Sequence, residues 1–310
     1  MQLVFILLLG LVLGGSTLAG EIVTILSSDA KPYMDAQSAA QDRLGKKGLK
    51  IRSIALKDLT EDKIKEWNEK PPEGVLAIGT EAAEALHRHP KVIAPEFYCM
   101  VADPDGHGLT QGLAMQGVTI DVPLGAQIEL IEQALPKTRS IGILYRGKSE
   151  KGKRISQAVR TAWPAKYKIE TVDVDHYGSS SKAIEALLAL KVDVIWTYPD
   201  PEVYNSALVR ALLLAALREK VPVFGFSRPF VNAGALLGVG IDPKSQGEQV
   251  SEVIARYHEG RSKSPDGFTA LAQVEAPRFE ISINTTVAEQ LSIRLPNELV
   301  KRAIDSGEGD

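Results

Sequence analysis

The sequence contains a single cysteine, Cys99, among its 310 residues. A disulfide within the chain is therefore impossible, and a chain of this length can bury a sufficient core without one. The 36 Lys and Arg residues nearly balance the 39 Asp and Glu residues, and the formal net charge is −3. Because there is no excess of basic residues, we expect no nucleic-acid partner.

Long hydrophobic runs are also lacking. The most apolar stretch, residues 3–13, is interrupted only by Gly10 and is about 11 residues long, whereas a membrane-spanning helix needs about 20. Small residues follow it, and Thr17 and Ala19 occupy the −3 and −1 positions of a cleavage site. The pattern predicts a secretory signal peptide at residues 1–20 and a periplasmic protein. An uncleaved anchor is the alternative, and no cysteine stands at the end of the run to carry a lipid.

Motifs typical of catalytic, metal-binding or phosphate-binding sites are scarce. The segment 225–229 (Gly-Phe-Ser-Arg-Pro) lacks the second glycine of a nucleophile elbow. His87 and His89 are two residues apart, so on a helix they would point to different faces. No titratable pair stands out for acid–base work, and no glycine-rich phosphate loop is present. We therefore expect no enzymatic activity, no bound metal and no cofactor.

What the sequence does contain is an alternation of short apolar strands and amphipathic helices. Strands are predicted at 22–26, 49–56, 74–78, 96–101, 141–145, 167–174, 192–196, 221–226, 234–241 and 275–283. Helices are predicted at 35–44, 60–68, 81–89, 125–134, 150–163, 180–189, 201–220, 247–258, 285–291 and 297–304. This alternation predicts parallel sheets covered on both faces. Because the pattern restarts near residue 125, the expected fold class is α/β with two doubly wound, Rossmann-like lobes.

Polar and aromatic residues follow the predicted strands. In open α/β sheets, ligands bind beyond the carboxyl ends of the strands, where helix N-termini present free N–H groups. A mixture of hydroxyl, carboxylate, guanidinium and aromatic groups at such an edge suits a zwitterion or a small anion with an apolar portion. The candidate ligand-binding residues are Ser28, Asp29, Thr80, Asp103, Arg146, Tyr198, Asp200, Ser227 and Phe230.

Most of these candidates also have a purely structural interpretation. Ser28 and Thr80 could be helix N-caps, and Asp200 could cap a helix that starts at the following proline. Asp103 precedes a proline and could form only a turn. The two aromatic candidates could be core residues.

Several motifs occur in an order that resembles a known family. They are the Gly-Thr turn within 75–83, Ala-Asp-Pro at 102–104, Gly-Val-Thr at 117–119, the stretch 192–200, Gly-Ala-Leu at 234–236 and Ile-Asn-Thr-Thr at 283–286. This order is similar to that of the ABC-transporter substrate-binding proteins, whose characterised members include tryptophan- and tyrosine-type amino-acid binders. The resemblance covers nearly the whole chain after residue 20.

The resemblance implies a type I periplasmic-binding-protein fold in which three crossovers form a hinge between two lobes. Lobe 1 would comprise 21–118 and 243–275, and lobe 2 would comprise 119–242 and 276–310. The implied function is capture of a small polar ligand, an amino acid among the candidates, in the cleft between the lobes by a monomer that delivers it to an ABC permease. A sensory binding protein that docks onto a receptor kinase or chemoreceptor is the alternative.

The family's binding residues map onto Ser28, Thr80, Asp200 and Ser227. One position departs from the family pattern, because Arg146 stands where an Asn-Pro pair is common. A basic residue there would favour an anionic ligand.

Overall fold

The structure of the chain is a computed structural model that describes residues 20–89, 92–111, 115–263 and 274–305. The predicted signal peptide lies outside these residues, except for Gly20. The chain divides into two compact units. Unit 1 comprises residues 1–117 and 247–273, and unit 2 comprises residues 118–246 and 274–310.

Both units are built from alternating strands and helices. The strands are β1 (Gly20–Leu26), β2 (Leu49–Ala55), β3 (Gly74–Ile78), β4 (Glu96–Val101), β5 (Gln116–Thr119), β6 (Ser140–Tyr145), β7 (Lys168–Asp173), β8 (Val194–Trp196), β9 (Val223–Gly225), β10 (Leu237–Ile241), β11 (Val274–Glu275), β12 (Phe279–Ile283) and β13 (Ile304–Asp305). The helices are α1 (Lys31–Gly45), α2 (Glu61–Glu69), α3 (Thr80–His87), α4 (Leu124–Ala134), α5 (Glu150–Ala162), α6 (Ser180–Ala189), α7 (Ser206–Arg218), α8 (Arg228–Asn232), α9 (Pro243–Lys263), α10 (Thr285–Gln290) and α11 (Asn297–Arg302).

The strands form two mostly parallel sheets, as predicted. One has six strands in the order β11-β5-β4-β3-β1-β2, and the other has seven in the order β13-β12-β10-β9-β8-β6-β7. Strands β1–β4 pair with one another in parallel, and so do β6–β10, whereas β12 runs antiparallel to β10. Strand β3 is buried along its whole length, which is typical of a parallel sheet covered by helices on both faces.

The predicted bounds of β3, β4 and α6 agree with the structure, but two helices begin four residues earlier than predicted. Helix α1 starts at Lys31 instead of Asp35, and α9 starts at Pro243 instead of Gly247. A proline, Pro32 in α1 and Pro243 in α9, stands in the first turn of each. Proline fits there because its fixed φ suits a helix and its missing N–H would have no partner in the first turn.

Helix α7 begins later than predicted, at Ser206 instead of Pro201. The backbone N–H of Tyr204 donates to the carbonyl oxygen of Asp200 at 2.8 Å, which closes a turn before the helix. Asn205 then caps α7 with its side-chain oxygen. Asn is among the best N-cap residues, whereas a helix starting at Pro201 would have used Asp200 as its cap. The expected capping role of Asp200 is therefore wrong.

The predicted strand at 275–283 is interrupted. It forms β11 and β12, with Pro277 between them. Proline has no N–H to donate to a strand ladder, so it breaks the pairing. The sequence pattern also missed β5 and the short helix α8.

Candidate functional site

The carboxyl ends of the parallel strands in unit 2 bring several candidates to one edge of the seven-stranded sheet. Strand β8 pairs with β6 on one side and with β9 on the other, all parallel. Tyr198 and Asp200 follow β8, Arg146 follows β6, and Ser227 and Phe230 follow β9. This edge is where ligands bind in open α/β sheets.

Asp200 is buried, with 3% of its surface exposed. Its Oδ1 accepts a hydrogen bond from the backbone N–H of Glu202 at 2.9 Å. Its Oδ2 is also buried, but no partner for it occurs among the described residues. Buried polar atoms are nearly always hydrogen-bonded, and a buried carboxylate oxygen without a donor is costly. Asp200 therefore has unused capacity to accept a hydrogen bond.

Tyr198 has the same property. Its side chain is 3% exposed, and its hydroxyl is buried without a partner in the described parts of the chain. Burial raises the pKa of Tyr198 most, and the negative charge of Asp200 raises it further. The hydroxyl therefore stays protonated and can donate as well as accept.

Aromatic rings pack around Tyr198. The ring of Tyr198 stacks on Trp196 with centroids 5.6 Å apart and planes 24° apart, and meets Tyr204 edge-on at 5.4 Å. Tyr204 contacts Phe226 and Phe230, whose centroids are 5.0 Å from each other. Tyr198 and Phe230 belong to the hydrophobic core of unit 2, so their interpretation as core aromatics is correct.

Arg146 is engaged by neighbouring acids. Its guanidinium lies 3.2 Å from Asp175 Oδ1 and 3.9 Å from Glu202 Oε2, and it donates to the carbonyl oxygen of Glu202 at 3.1 Å. Two carboxylates compensate its charge, so Arg146 does not by itself favour an anionic ligand. Ser227 is the N-cap of α8 and accepts from the backbone N–H of Phe230 at 3.3 Å.

In unit 1, the residues after β1 and β3 meet through a hydrogen bond that the sequence did not predict. Thr80 is the first residue of α3 and not its cap, and Gly79 holds the cap position with φ of 98°. Ser27 supplies the missing acceptor, because its Oγ accepts from the backbone N–H of Ala82 at 3.0 Å. The N-cap prediction for Thr80 is therefore wrong.

The other candidates in unit 1 lie in turns. Ser28 and Asp29 are exposed, and Ser28 Oγ accepts only from the backbone N–H of Ala30 at 3.3 Å. Because Ala30 is the N-cap of α1, the capping role expected for Ser28 is wrong. Asp103 has φ of 49°, and its Oδ1 accepts from the backbone N–H of Gly106 at 3.0 Å. Its interpretation as a turn residue is correct.

A sequence model of one family matches residues 35–306, and the family is described as ABC transporter substrate binding protein. The match covers most of the chain. The chain belongs to this family.

Solved structures agree with that assignment at the level of the fold. The ligand-free, open structure of a substrate-binding protein with adhesive properties from Clostridium difficile matches with a TM-score of 0.75 and 18% sequence identity. The match covers 92% of this chain and 98% of the Clostridium chain. The ABC domain in complex with L-Trp from Streptococcus pneumonia has a TM-score of 0.60 and 22% identity, with 92% and 99% coverage. A conserved domain protein from Vibrio cholerae has a TM-score of 0.61 and 23% identity, with 93% and 99% coverage. The predicted type I periplasmic-binding-protein fold is confirmed. No curated protein matches the chain.

Among the residues of this substrate-binding protein that the structure describes, no group of three or more His, Cys, Asp or Glu side chains could hold a metal ion. None of the helices in the described ranges is long and apolar enough to cross a membrane.

The sequence missed two features of the site. Ser27 could not be assigned to α3 because 55 positions separate it from Ala82. The hydroxyl of Tyr204 donates to the carbonyl oxygen of Leu144 at 3.1 Å, which fixes the ring that abuts Tyr198. In both cases, the partner is visible only once neighbouring strands are placed side by side.

Proposed function

We propose that this protein is the periplasmic solute-binding component of an ABC importer, exported through a cleaved signal peptide, and that it captures a small solute bearing an ammonium group. The observation that carries the proposal is the buried Oδ2 of Asp200, which has no hydrogen-bond donor among the described residues. An amino acid is the first class of solute to test.

The chemistry of Asp200 supports a cationic partner. A carboxylate at 3% exposure has lost most of its hydration, and only one of its oxygens is hydrogen-bonded in the described chain. A ligand ammonium supplies both donors and a compensating charge, and such charge-assisted hydrogen bonds are about twice as strong as neutral ones. The site thereby gains affinity for ligands that carry the group and rejects analogues that lack it.

Tyr198 and the surrounding rings support an apolar portion in the same ligand. The Tyr198 hydroxyl is available to a ligand polar group, and Phe226 is only half-buried beside Phe230. Ser227 and Arg146 complete the proposed contribution of unit 2. Arg146 positions the carboxylates of Glu202 and Asp175 and does not itself bind an anion.

Unit 1 contributes, in this proposal, the segment after β1 and the start of α3. Ser28 and Asp29 are exposed, and the first turn of α3 at Thr80 offers backbone N–H groups to an anionic ligand group. Asp103 is expected to contribute little to ligand binding, because its carboxylate already accepts a hydrogen bond from the backbone N–H of Gly106.

The family match supports transport over the sensory alternative, because the family is described as one of ABC transporters. The expected partner is a membrane permease, which would receive the solute from a monomeric binding protein. The bound L-Trp in the similar Streptococcus pneumonia structure supports amino acids as the first ligands to test. No catalytic step is part of the proposal.

Isothermal titration calorimetry with matched ligand pairs tests the role of Asp200. L-Trp, L-Tyr and L-Phe are compared with the corresponding acids that lack the amino group. We expect binding by at least one amino acid and loss of binding by its desamino analogue. Asp200→Asn, which keeps the shape of the side chain, should weaken binding by about 2 kcal/mol or more, because a charged partner is lost in a buried site.

Glu202→Gln is the matched control, since it removes a carboxylate that is exposed and lies two residues away. Its affinity should stay within a factor of two or three of wild type, as for an exposed charge. Equal losses of affinity in Asp200→Asn and Glu202→Gln would mean that binding depends on the overall negative charge of this region and not on the buried oxygen of Asp200. Undiminished binding by Asp200→Asn would remove Asp200 from the site.

A further inference from the structure

A second concave surface lies on unit 2, and Asp200 is not among the residues that line it. It is a groove of about 840 Å³ between α7 on one side and α8 and α10 on the other. It extends along α7 from Ser206 to Leu217, roughly 16 Å at the helical rise of about 1.5 Å per residue. One end reaches Ser227 and Phe230, which are candidate ligand-binding residues, and the groove extends from there along α7 to Leu217. We call this surface the α7 groove.

The lining of the α7 groove is largely apolar. Leu213 is buried at its floor, whereas Leu214 is 51% exposed, and Val209 and Leu217 are half-buried. Large apolar side chains on one face of a surface helix usually pack against something. An exposed apolar groove of this kind indicates a binding surface.

The floor of the α7 groove is apolar. Leu213, Leu217, Gly234 and Val287 line it. A Cβ atom added at Gly234 would lie 3.9 Å from side-chain atoms of Leu213, which is ordinary van der Waals contact. The floor is therefore packed and offers an apolar surface to a ligand.

One cation stands at the side of the groove. Arg210 is exposed, and among the described residues that line the groove it alone is charged. Within the described chain, no carboxylate forms an ion pair with it. The amide side chains of Asn232 and Gln290 also line the groove and offer further hydrogen-bond donors. The groove thus combines an apolar floor with a positive charge that nothing in the described chain compensates.

We propose that the α7 groove binds an amphipathic monoanion, a small carboxylate with an alkyl or aryl tail. The tail lies over Leu213 and Val287, and the carboxylate lies against the Arg210 guanidinium. This site adjoins the proposed ammonium site at Ser227 and Phe230, but Asp200 does not line it and its charge preference is the opposite. Tail burial alone would not distinguish an acid from an alcohol, so the charge of Arg210 is the feature that decides the ligand class.

Calorimetry with three probes tests the proposal. Octanoate has both the tail and the charge, 1-octanol has only the tail, and butyrate has the charge with a short tail. We expect saturable, one-to-one binding of octanoate, with binding of 1-octanol weaker by about threefold and of butyrate by at least tenfold. The charge partner of the carboxylate is exposed and contributes about that small factor, whereas the shorter tail of butyrate buries less apolar surface. Equal affinities for octanoate and 1-octanol would overturn the proposal.

Matched variants locate the site. Arg210→Gln should weaken octanoate binding by about threefold, as for an exposed charge, and leave 1-octanol binding unchanged, whereas Arg210→Lys should retain most of the octanoate affinity. Arg218→Gln is the control, because Arg218 is exposed on the same helix but does not line the groove. Leu214→Glu should weaken octanoate binding by placing a negative charge at the exposed rim.

The Asp200→Asn variant separates this inference from the proposed function. Octanoate binding should be unchanged in it, even where amino-acid binding is lost. If Asp200→Asn abolishes both, the groove is not a separate site and the inference fails. If octanoate does not bind wild type, or binds Arg210→Gln and Arg218→Gln with equal affinity, the inference also fails, while the proposed ammonium site stands untouched.

Discussion

The side-chain oxygen of Ser27 accepts a hydrogen bond from the backbone N–H of Ala82 at 3.0 Å. This bond joins the end of β1 to the first turn of α3, next to the strand β3 that pairs with β1. Gly79 makes the arrangement possible, because its φ is 98° and a Cβ atom there would lie 2.5 Å from Ser27 Oγ. The start of α3, part of the proposed binding surface of unit 1, is therefore held from a neighbouring strand.

The first prediction concerns this cap. Ser27→Ala should lower the free energy of unfolding by about 1 kcal/mol, as loss of an N-cap acceptor does. Gly79→Ala should cost more, because it adds a steric clash to a left-handed backbone conformation. Urea unfolding measures both. Ser28→Ala is the control and should change stability by less than about 0.5 kcal/mol, because its hydroxyl is exposed and makes only a local hydrogen bond. Similar losses of stability in Ser27→Ala and Ser28→Ala would contradict the capping role of Ser27.

The second prediction compares two buried tyrosines. Tyr198→Phe should leave the free energy of unfolding of the ligand-free protein unchanged or slightly increased, because its buried hydroxyl has no partner in the described chain. Tyr204→Phe should lower it by about 1 kcal/mol, because that hydroxyl donates to the carbonyl oxygen of Leu144. Denaturant unfolding of both variants checks the order. If Tyr198→Phe is the more damaging change, its hydroxyl has a partner and is not available to a ligand.

The third prediction concerns pH. Burial raises the pKa of Glu96, at the start of β4, from 4.5 to about 8. Between these values the folded state retains a proton that the unfolded state has released, so this group lowers the stability of the fold as the pH rises. Glu96→Gln removes the effect. The difference in free energy of unfolding between variant and wild type should therefore grow from pH 4.5 to pH 8 by more than about 1 kcal/mol. A difference that stays constant over this range would mean that Glu96 is ionised in the folded protein.

How much the sequence reveals depends on whether a feature is local. Strand β3 is a continuous apolar run, and Ser179 accepts from the backbone N–H of Lys182 at the start of α6, so both elements could be bounded from the sequence. The start of α7 could not, because Pro201 and Asn205 both offer good starting signals and a turn decides between them.

The candidate site also has features that the sequence predicts and features that depend on contacts between distant residues. The sequence predicts ligand-binding residues after β8, because ligands bind beyond the carboxyl ends of parallel strands. It could not show that Asp200 keeps one oxygen without a donor in the described chain, or that Asp175 and Glu202 compensate Arg146. Both facts depend on distances between side chains from different strands, which no spacing along the chain encodes.

The most direct test of the central claim is a thermal-shift screen of residues 21–310 against amino acids, other small amines, carboxylates, nucleosides and sugars. A ligand at 1,000 times its dissociation constant adds about 4 kcal/mol to the free energy of unfolding. For a chain of this size the midpoint should then rise by several degrees. We predict such a rise with at least one solute that carries an ammonium group, and its absence in Asp200→Asn. No shift with any member of the panel, or shifts only with solutes that lack an ammonium group, would contradict the account.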